Sequence, residues 1–509
     1  MKRIFPAGAI LLFAFSGTLA TACKDDETQE PRDTGTSYLV PVPEALPEEN
    51  YAPSSDGKPY RPILVRYAAS GSNPNWDDPS KEAKTRILSR MTGFTADLDR
   101  ENYRASTNRY GSRTDMAPRK ATGRFRTEKG DGRWWIVDPD GYLNLHRGLN
   151  TFIPGEVDRD GAALAAKYGT EANWILMAAR EIAALGFHAT GAFSKPYTHI
   201  RGYNASNDYL PLTYAPSFGF LSGARSKGGY SWPGDDSKNA IGLVFYDGFE
   251  ASVRDYAREQ LAPYAGDRNL LGVFSDNEIN FSSMNTRILA ELLAVGDGEN
   301  PARKAAAAFM VSKGLEPTAG AFEASGDRER LNDEFAGMMA ERYYKACRDA
   351  IKAVDPQMMY LGSRLHGTPK YMENVVRAAG RYCDIVSINY YNRWSVELTD
   401  YVQRWADWAD APFMVTEFYA MGADSGLPNT SGAGFVVRTQ PERAFFYQHF
   451  CLGLLEARNC VGWDWFRYQD DAECNRGAFD AAYKPWPELT SYMRDLNYNV
   501  YRLIDYFDR

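Results

Sequence analysis

From about residue 123 onward the chain alternates eight times between a short apolar run and a longer segment with helical spacing. The apolar runs are Tyr142–Gly148, 186–194 (GFHATGAFS), 208–215 (DYLPLTYA), 272–280 (GVFSDNEIN), 358–367 (MMYLGSRLHG), 383–391 (CDIVSINYY), 412–420 (PFMVTEFYA) and 460–468 (CVGWDWFRY). Between them lie segments such as ANWILMAAREIAAL, YMENVVRAAGRY and PERAFFYQHFCLGLLEA, and a mostly helical stretch at 282–353. Continuous apolar runs suit strands buried on both faces of a parallel sheet, which needs helical crossovers. Eight such units in roughly 380 residues predict an α/β fold, a (β/α)8 TIM barrel with insertions and an N-terminal extension. A doubly wound sheet is the alternative, weakened because no Gly-rich phosphate fingerprint follows an early strand.

Nearly every later run ends in polar or aromatic groups. The fourth ends at Asn277-Glu278, the fifth near Arg364 and His366, the sixth at Asn389-Tyr390-Tyr391, the seventh at Glu417 and the eighth at Trp463-Asp464-Trp465. In a TIM barrel these C-terminal ends gather at one mouth. Glu278 and Glu417, 139 residues apart, would then face each other. Two carboxyl groups flanking one site are what glycoside hydrolysis requires, one protonated to donate and one ionised to attack. Asn277 can hydrogen-bond a sugar hydroxyl, a hydroxyl from Tyr390 or Tyr391 can hold a carboxylate ionised, and an indole can floor a sugar subsite. Among 11 Trp, 32 Tyr and 26 Phe, a few are expected to form such platforms while most pack the core. Asp276 reads as a structural carboxylate.

The N-terminus reads as an export signal. Lys2 and Arg3 precede a short apolar run, and LATAC ends at Cys23, the pattern of a bacterial lipoprotein processing site. The expectation is a signal peptide at 1–22, lipid attachment at Cys23, a flexible tether at 23–60, an extension of uncertain structure at 61–122 that wraps the main domain, and a catalytic barrel at 123–509. The protein would sit in the bacterial cell envelope, anchored to the outer membrane and exposed at the surface.

Five cysteines remain, an odd number, and an oxidising compartment allows one or two disulfides without specifying the pairing. The five histidines form no HxxxH or HxH pattern, so no metal site and no cofactor is expected. The net charge is −8, and −10 once Lys2 and Arg3 are removed, with no basic run of the kind nucleic-acid binders use.

Several segments are similar to the family-50 β-agarases, within the larger clan of retaining (β/α)8-barrel glycoside hydrolases: GRWWIVDPDGY, GFHATGAFS, NLLGVFSDNEI, YLGSRLHG, YCDIVSINYY, VTEFYAMGADSG, QPERAFFYQHF and VGWDWFRYQDD. The resemblance covers about residues 123–475. It implies Glu278 as acid/base, Glu417 as nucleophile, and Asn277, Tyr391 and Trp465 as sugar contacts. Arg364, His366, Trp463 and Asn389 complete the candidate substrate-binding set. It further implies a β-linked galactan of red-algal origin as substrate. The chain departs from the family pattern at Tyr419 and Asp464, where that pattern often carries histidine, and residues 61–122 are short for the β-sandwich that usually precedes the barrel. The alternatives are a β-galactosidase-type exo-enzyme, another β-glycanase of the clan, or a non-catalytic surface glycan-binding lipoprotein. The loop at 419–440, rich in Gly, Ser and Asn, is expected to be a long shaped or mobile loop over the site and to influence substrate choice.

Overall fold

The computed structural model describes residues 60–509 apart from 73, 79–80, 156–160, 232–236, 282–286 and 397–400, and leaves out the side chains of 237–239. Cys23, the leader and all but the last residue of the expected tether lie outside the described residues.

The N-terminal extension supplies strands β1 (Ile63–Ala69) and β2 (Glu82–Thr85), paired antiparallel. Next come β3 (Arg126–Gly130), β4 (Arg133–Val137) and β5 (Leu143–Asn144), an antiparallel three-stranded sheet. The DPDG turn joins β4 to β5. The Asp138 carboxylate accepts from the backbone N–H groups of Asp140 and Tyr142, both at 2.9 Å, and so mimics a turn of backbone. The expected strand at Tyr142–Gly148 is in fact two. It changes partners at Leu145, whose N–H turns to the Tyr501 hydroxyl, and resumes as β6 (His146–Leu149).

Short parallel strands follow: β7 (Ala189–Thr190), β8 (Thr213–Tyr214), β9 (Ser217–Phe218), β10 (Phe274–Ser275), β11 (Val386–Asn389) and β12 (Phe413–Glu417). Beyond them lie β13 (Ala420–Gly422), β14 (Phe435–Val437) and β15 (Cys460–Trp465). Five of these and β6 form one parallel sheet in the order β11-β12-β15-β6-β7-β8, and β9 pairs in parallel with β10. Isolated parallel bridges link Tyr214 to Leu270, Val273 to Tyr360 and Leu365 to Ile388. The run at 358–367 carries only such bridges. Gly362 (φ 78°) and Arg364 (φ 56°) adopt left-handed backbone, which interrupts a regular ladder. The fold is thus a mixed α/β architecture around a six-stranded parallel sheet, with helices such as Glu171–Ala184, Arg328–Val354 and Gln440–Glu456 between the strands.

Two apolar clusters follow from the strand alternation. The larger lies between strands and helices, with Trp174, Trp405, Tyr447, Trp463 and Trp465 among its members. The smaller gathers Ala192, Ala215, Leu271, Phe274, Met359, Leu361, Ile385, Met414 and Val461, together with Tyr110, Phe125 and Ile136 from the N-terminal portion. All five described cysteines, Cys347, Cys383, Cys451, Cys460 and Cys474, are free and buried, so no disulfide forms among them. They act as small apolar core groups.

The loop at 419–440 is shaped by pairing. β13 and β14 run parallel, and β14 pairs antiparallel with β1, giving a four-stranded sheet β13-β14-β1-β2. The segment that follows Glu417 is therefore held by the N-terminal extension. That extension is itself tied down by buried bonds from Arg86 N–H to His449 Nδ1 (3.0 Å) and from Leu88 N–H to Gln448 Oε1 (2.9 Å).

Candidate active site

The stretch Ser275–Glu278 leaves β10 through a tight turn in which Asp276 (φ 58°) and Glu278 (φ 55°) both take left-handed backbone. Such a conformation is costly for residues with a Cβ and persists only where surroundings hold it. Here the N–H of Glu278 donates to Ser363 O at 3.0 Å, and the Asp276 carboxylate accepts from Leu221 N–H (3.0 Å) and the Tyr343 hydroxyl (2.6 Å). Asp276 thus ties the turn to the first turn of the helix Phe220–Gly228. Burial pushes its carboxyl up to about 7, against the lowering effect of those donors.

Glu417 ends β12 and is 6% exposed. Tyr391 donates its hydroxyl to Glu417 Oε2 at 2.7 Å, and Arg364 donates through Nη2 to Oε1. Tyr390 instead packs outward against Trp405 and Phe450, which resolves the choice between the two tyrosines: only Tyr391 reaches the carboxylate. Burial raises the pKa of Glu417. The Arg364 charge opposes this, the Glu278 charge adds to it, and the Tyr391 bond opposes it again. Burial and the adjacent Glu417 charge keep the Tyr391 hydroxyl protonated.

Arg364 links the two strand ends. Its Nε donates to Asn277 Oδ1 at 2.8 Å, its guanidinium lies over the rings of Phe193 and Phe274 (5.2 Å each), and it is fully buried. Its Nη1 has no hydrogen-bond partner among the described residues. The Asn277 carbonyl also faces Asn389 Nδ2 at 3.4 Å, so both neighbours are donors and the amide orientation is determined. The Asn277 amino group is then the end turned elsewhere.

Asn389 was expected to touch sugar, but it is fully buried. Its Nδ2 donates to Glu278 Oε1 at 2.9 Å and its Oδ1 accepts from the Thr416 hydroxyl at 2.8 Å, so both ends of the amide are used within the protein. Its place is beneath Glu278, holding that carboxyl. His366 Nδ1 lies 3.9 Å from Glu278 Oε1, and its ring meets Tyr391 edge-on at 5.6 Å.

Trp463 and Trp465 are also placed otherwise than expected. Both are fully buried. The Trp463 N–H donates to the Tyr447 hydroxyl (3.1 Å), the Trp465 N–H donates to Arg476 O (2.9 Å), and the Trp465 ring packs on Phe418 and Tyr447. The period of two along β15 sends both indoles toward the helix Gln440–Glu456 and sends Asp464 to the opposite face. There Asp464 Oδ1 meets His146 Nε2 at 2.7 Å. A Cβ on Gly148 would stand 2.2 Å from that Asp464 oxygen, and one on Gly191 2.5 Å from Asn150 Oδ1, so both glycines are required by close packing around this polar pair.

Sequence reasoning missed three neighbours of the site. Phe193, 38% exposed and at φ 62°, stands over Arg364 at the end of the second run. Phe466, partly buried, follows Trp465 and lies 5.9 Å from the Tyr419 ring. Lys370 is 2% exposed, and its Nζ lies over the ring of Tyr371 (4.5 Å). Burial lowers its ammonium to about 8, and the Glu278 charge works in the opposite direction. Strand-end position was a usable signal for the two phenylalanines. Lys370 carries none.

No family model matches the chain. Among curated proteins, "Beta-agarase B" of Vibrio sp. (strain JT0107) is 24% identical, over 77% of this chain and 50% of the relative. The chain therefore spans about half the length of that relative. Among solved structures, the crystal structure of BpGH50 is 43% identical and superposes with a TM-score of 0.84, over 92% of this chain and 100% of that one. The agarase AgWH50C, 22% identical, shares the fold with a TM-score of 0.63, over 78% of this chain and 66% of that one.

Proposed function

From the premise that the chain belongs to glycoside hydrolase family 50, we propose that it hydrolyses a β-linked galactan, agarase-like in substrate, with retention of configuration. The observation that carries this reading is the hydrogen-bonded constellation Glu278–Asn389, Asn277–Arg364–Glu417 and Tyr391–Glu417. The similarity to beta-agarase B of Vibrio supports the substrate.

In this reading the parallel segments close into a (β/α)8 barrel. Support comes from the bridges that continue the six-stranded sheet through Leu270, Val273–Tyr360 and Leu365–Ile388. The small inner cluster, which draws on seven of the eight segments, supports it too. Glu278 and Glu417 then stand at the mouth formed by the C-terminal strand ends.

Glu417 attacks the anomeric carbon while Glu278 gives its proton to the departing glycosidic oxygen, which breaks the C–O bond. The product of this step is a glycosyl ester on Glu417. Glu278, now ionised, takes a proton from water, and the water oxygen displaces Glu417 from the same carbon. The donors on Glu417 have a defined part. Arg364 and Tyr391 oppose the desolvation that raises the pKa of Glu417, and so favour the charged carboxylate that attack requires. They bind the carboxylate more strongly than the ester, and so favour its departure in the second step. The Asn277 amino group, on a half-buried side chain, is turned away from Arg364 and Asn389 and is suited to a hydroxyl of the bound sugar, whereas Arg364, fully buried, acts through Asn277 and Glu417.

Attachment through Cys23 and a place on the cell surface are separate proposals, supported by the residues around that cysteine. Mass spectrometry of the membrane-bound protein tests them: an acylated Cys23 supports the anchor, and an unmodified thiol sinks it.

The function is tested with agarose oligosaccharides, following the anomer first released by NMR. Wild type is expected to release the β-anomer, and Glu278→Gln and Glu417→Gln each to lose about 10²–10⁴-fold in rate. Release of the α-anomer, or either variant retaining wild-type rate, would overturn the double-displacement reading.

A further inference from the structure

With Trp463 and Trp465 buried on the helix-facing side of β15, neither indole can floor a sugar subsite. Among the described residues the exposed large apolar side chains are Leu176, Phe193, Tyr209, Val311 and Met338. Leu176, Val311 and Met338 lie on helices, and the Tyr209 hydroxyl accepts from Arg180 on the helix Glu171–Ala184. Phe193 differs from these in packing on Arg364, the residue that joins Asn277 to Glu417.

The ring is held out by its neighbours. Ala192 and Ser194, on either side of it, are fully buried. Ala192 O accepts the N–H of Thr151 at 2.9 Å. The Ser194 hydroxyl donates to Gly191 O at 3.0 Å and accepts the N–H of Phe152 at 3.0 Å. Both flanks are thereby pinned to the segment that leaves β6, and Phe193, at φ 62°, turns outward between them. Left-handed backbone is costly for a residue with a Cβ, and glycine would relieve it. A purely packing role would call for neither that strain nor an exposed ring. One side of the ring covers the Arg364 guanidinium, whose carbon lies 5.2 Å from the ring centroid. Arg364 is fully buried, so the accessible part of Phe193 faces away from it and is the part left for a ligand. Because Arg364 is bonded to both Asn277 and Glu417, the ring has a fixed place relative to both.

We propose that Phe193 is the sugar platform of this site, the apolar surface on which a galacto-configured unit rests, and that it selects galactose over glucose. The inference rests on the galactan-hydrolase reading above and adds to it the residue that reads the configuration of the sugar. The axial hydroxyl of β-galactose leaves the opposite face of the ring lined with C–H groups. Their partial positive charge suits the negative face of a phenyl ring. In glucose the hydroxyls are equatorial and the C–H groups are divided between the two faces, so neither face is as apolar. A phenyl ring forms no conventional hydrogen bond, and it therefore discriminates through that apolar face, while the Asn277 amino group serves a hydroxyl.

The test is calorimetric binding of an agarose oligosaccharide and of a cello-oligosaccharide of equal length. The Glu278→Gln protein is used, because it keeps the Arg364–Glu417 pair, and it is compared with the same protein carrying Phe193→Tyr or Phe193→Leu. Hydrolysis of the agarose oligosaccharide is followed with Glu278 intact. The tyrosine variant keeps the ring and should bind within about twofold of the parent, whereas the leucine variant should bind the agarose oligosaccharide about 5- to 10-fold more weakly. Its loss on the cello-oligosaccharide should be smaller. In hydrolysis the leucine variant should show a raised KM, with kcat and the acid limb of the pH profile little changed. Agarose oligosaccharide bound equally by the leucine variant and its parent overturns the platform. An acid limb that moves while KM stays shows that the ring only shields the Arg364–Glu417 pair, and overturns it too. Equal losses on the two oligosaccharides overturn the selection of galactose. Galactose-selective binding that depends on the Phe193 ring supports the proposal even if no galactan is hydrolysed, in which case the hydrolase reading alone fails.

Discussion

Tyr391 and Glu417, 26 residues apart, meet through a 2.7 Å hydrogen bond in which the phenol donates to a nearly buried carboxylate. The bond joins the ends of neighbouring parallel strands β11 and β12. It is one of two contacts that oppose the cost of placing the Glu417 charge where water does not reach.

Replacing Tyr391 by Phe removes a donor to the charged form of Glu417, so the pKa of that carboxyl rises further. The proposed nucleophile is then ionised only at higher pH. The expected outcome is a kcat about 10- to 100-fold lower, with the acid limb of the kcat/KM profile moved toward higher pH. Tyr390→Phe is the control: its ring packs on Trp405 and Phe450, and it should leave that limb in place. An unmoved acid limb in Tyr391→Phe would refute this role.

Arg364 carries a structural and an electrostatic burden together. It is fully buried, held over two phenylalanine rings and bonded to both Asn277 and Glu417. Arg364→Met keeps much of the volume but leaves the Glu417 charge without its cation. Breaking a buried pair this way costs about 3–5 kcal/mol, read as a lower urea midpoint at neutral pH. Because the uncompensated carboxylate can be relieved by protonation, the loss should shrink as pH falls. A stability loss equal at pH 5 and pH 8 would contradict that account.

Asp276 predicts a pH dependence of stability. Its folded-state pKa, near 7, lies above the usual carboxylate value because of burial. The folded protein therefore binds this proton more tightly than the unfolded chain does. The resulting contribution is fully present below about pH 4 and is lost as pH rises through about 7. Between those limits it falls by up to about 1.4 kcal/mol per pH unit. Asp276→Asn has no such proton to lose, so the gap in thermal stability between it and wild type should shift in the variant's favour from pH 5 to pH 8. Parallel melting curves across that range would show the assignment to be wrong.

Much of this protein could be read from residue order alone. Alternating apolar and helical segments require buried parallel strands, since a continuous apolar run has no wet face. Polar groups at the ends of those runs mark where a site would gather. Glu278, Glu417, Asn277 and Arg364 were legible for that reason, and the coordinates bring all four into one hydrogen-bonded group. What sequence could not supply was direction. Whether Tyr390 or Tyr391 meets Glu417, and whether Trp463 and Trp465 or Asp464 leave the helix-facing side of β15, depends on the phase of a period-two strand, which a one-residue shift reverses. The same limit hid the use of both ends of the Asn389 amide inside the protein. The pairing of β1 with β14 was equally invisible, since it joins residues more than 360 positions apart and only the folded chain brings them together. Local pattern indicated which segments run buried and extended, though not where they pair: Tyr142–Gly148 divides at Leu145 and the run at 358–367 carries only isolated bridges. Packing of distant segments decided which side chains face the site, because that choice is made by neighbours the local sequence does not contain.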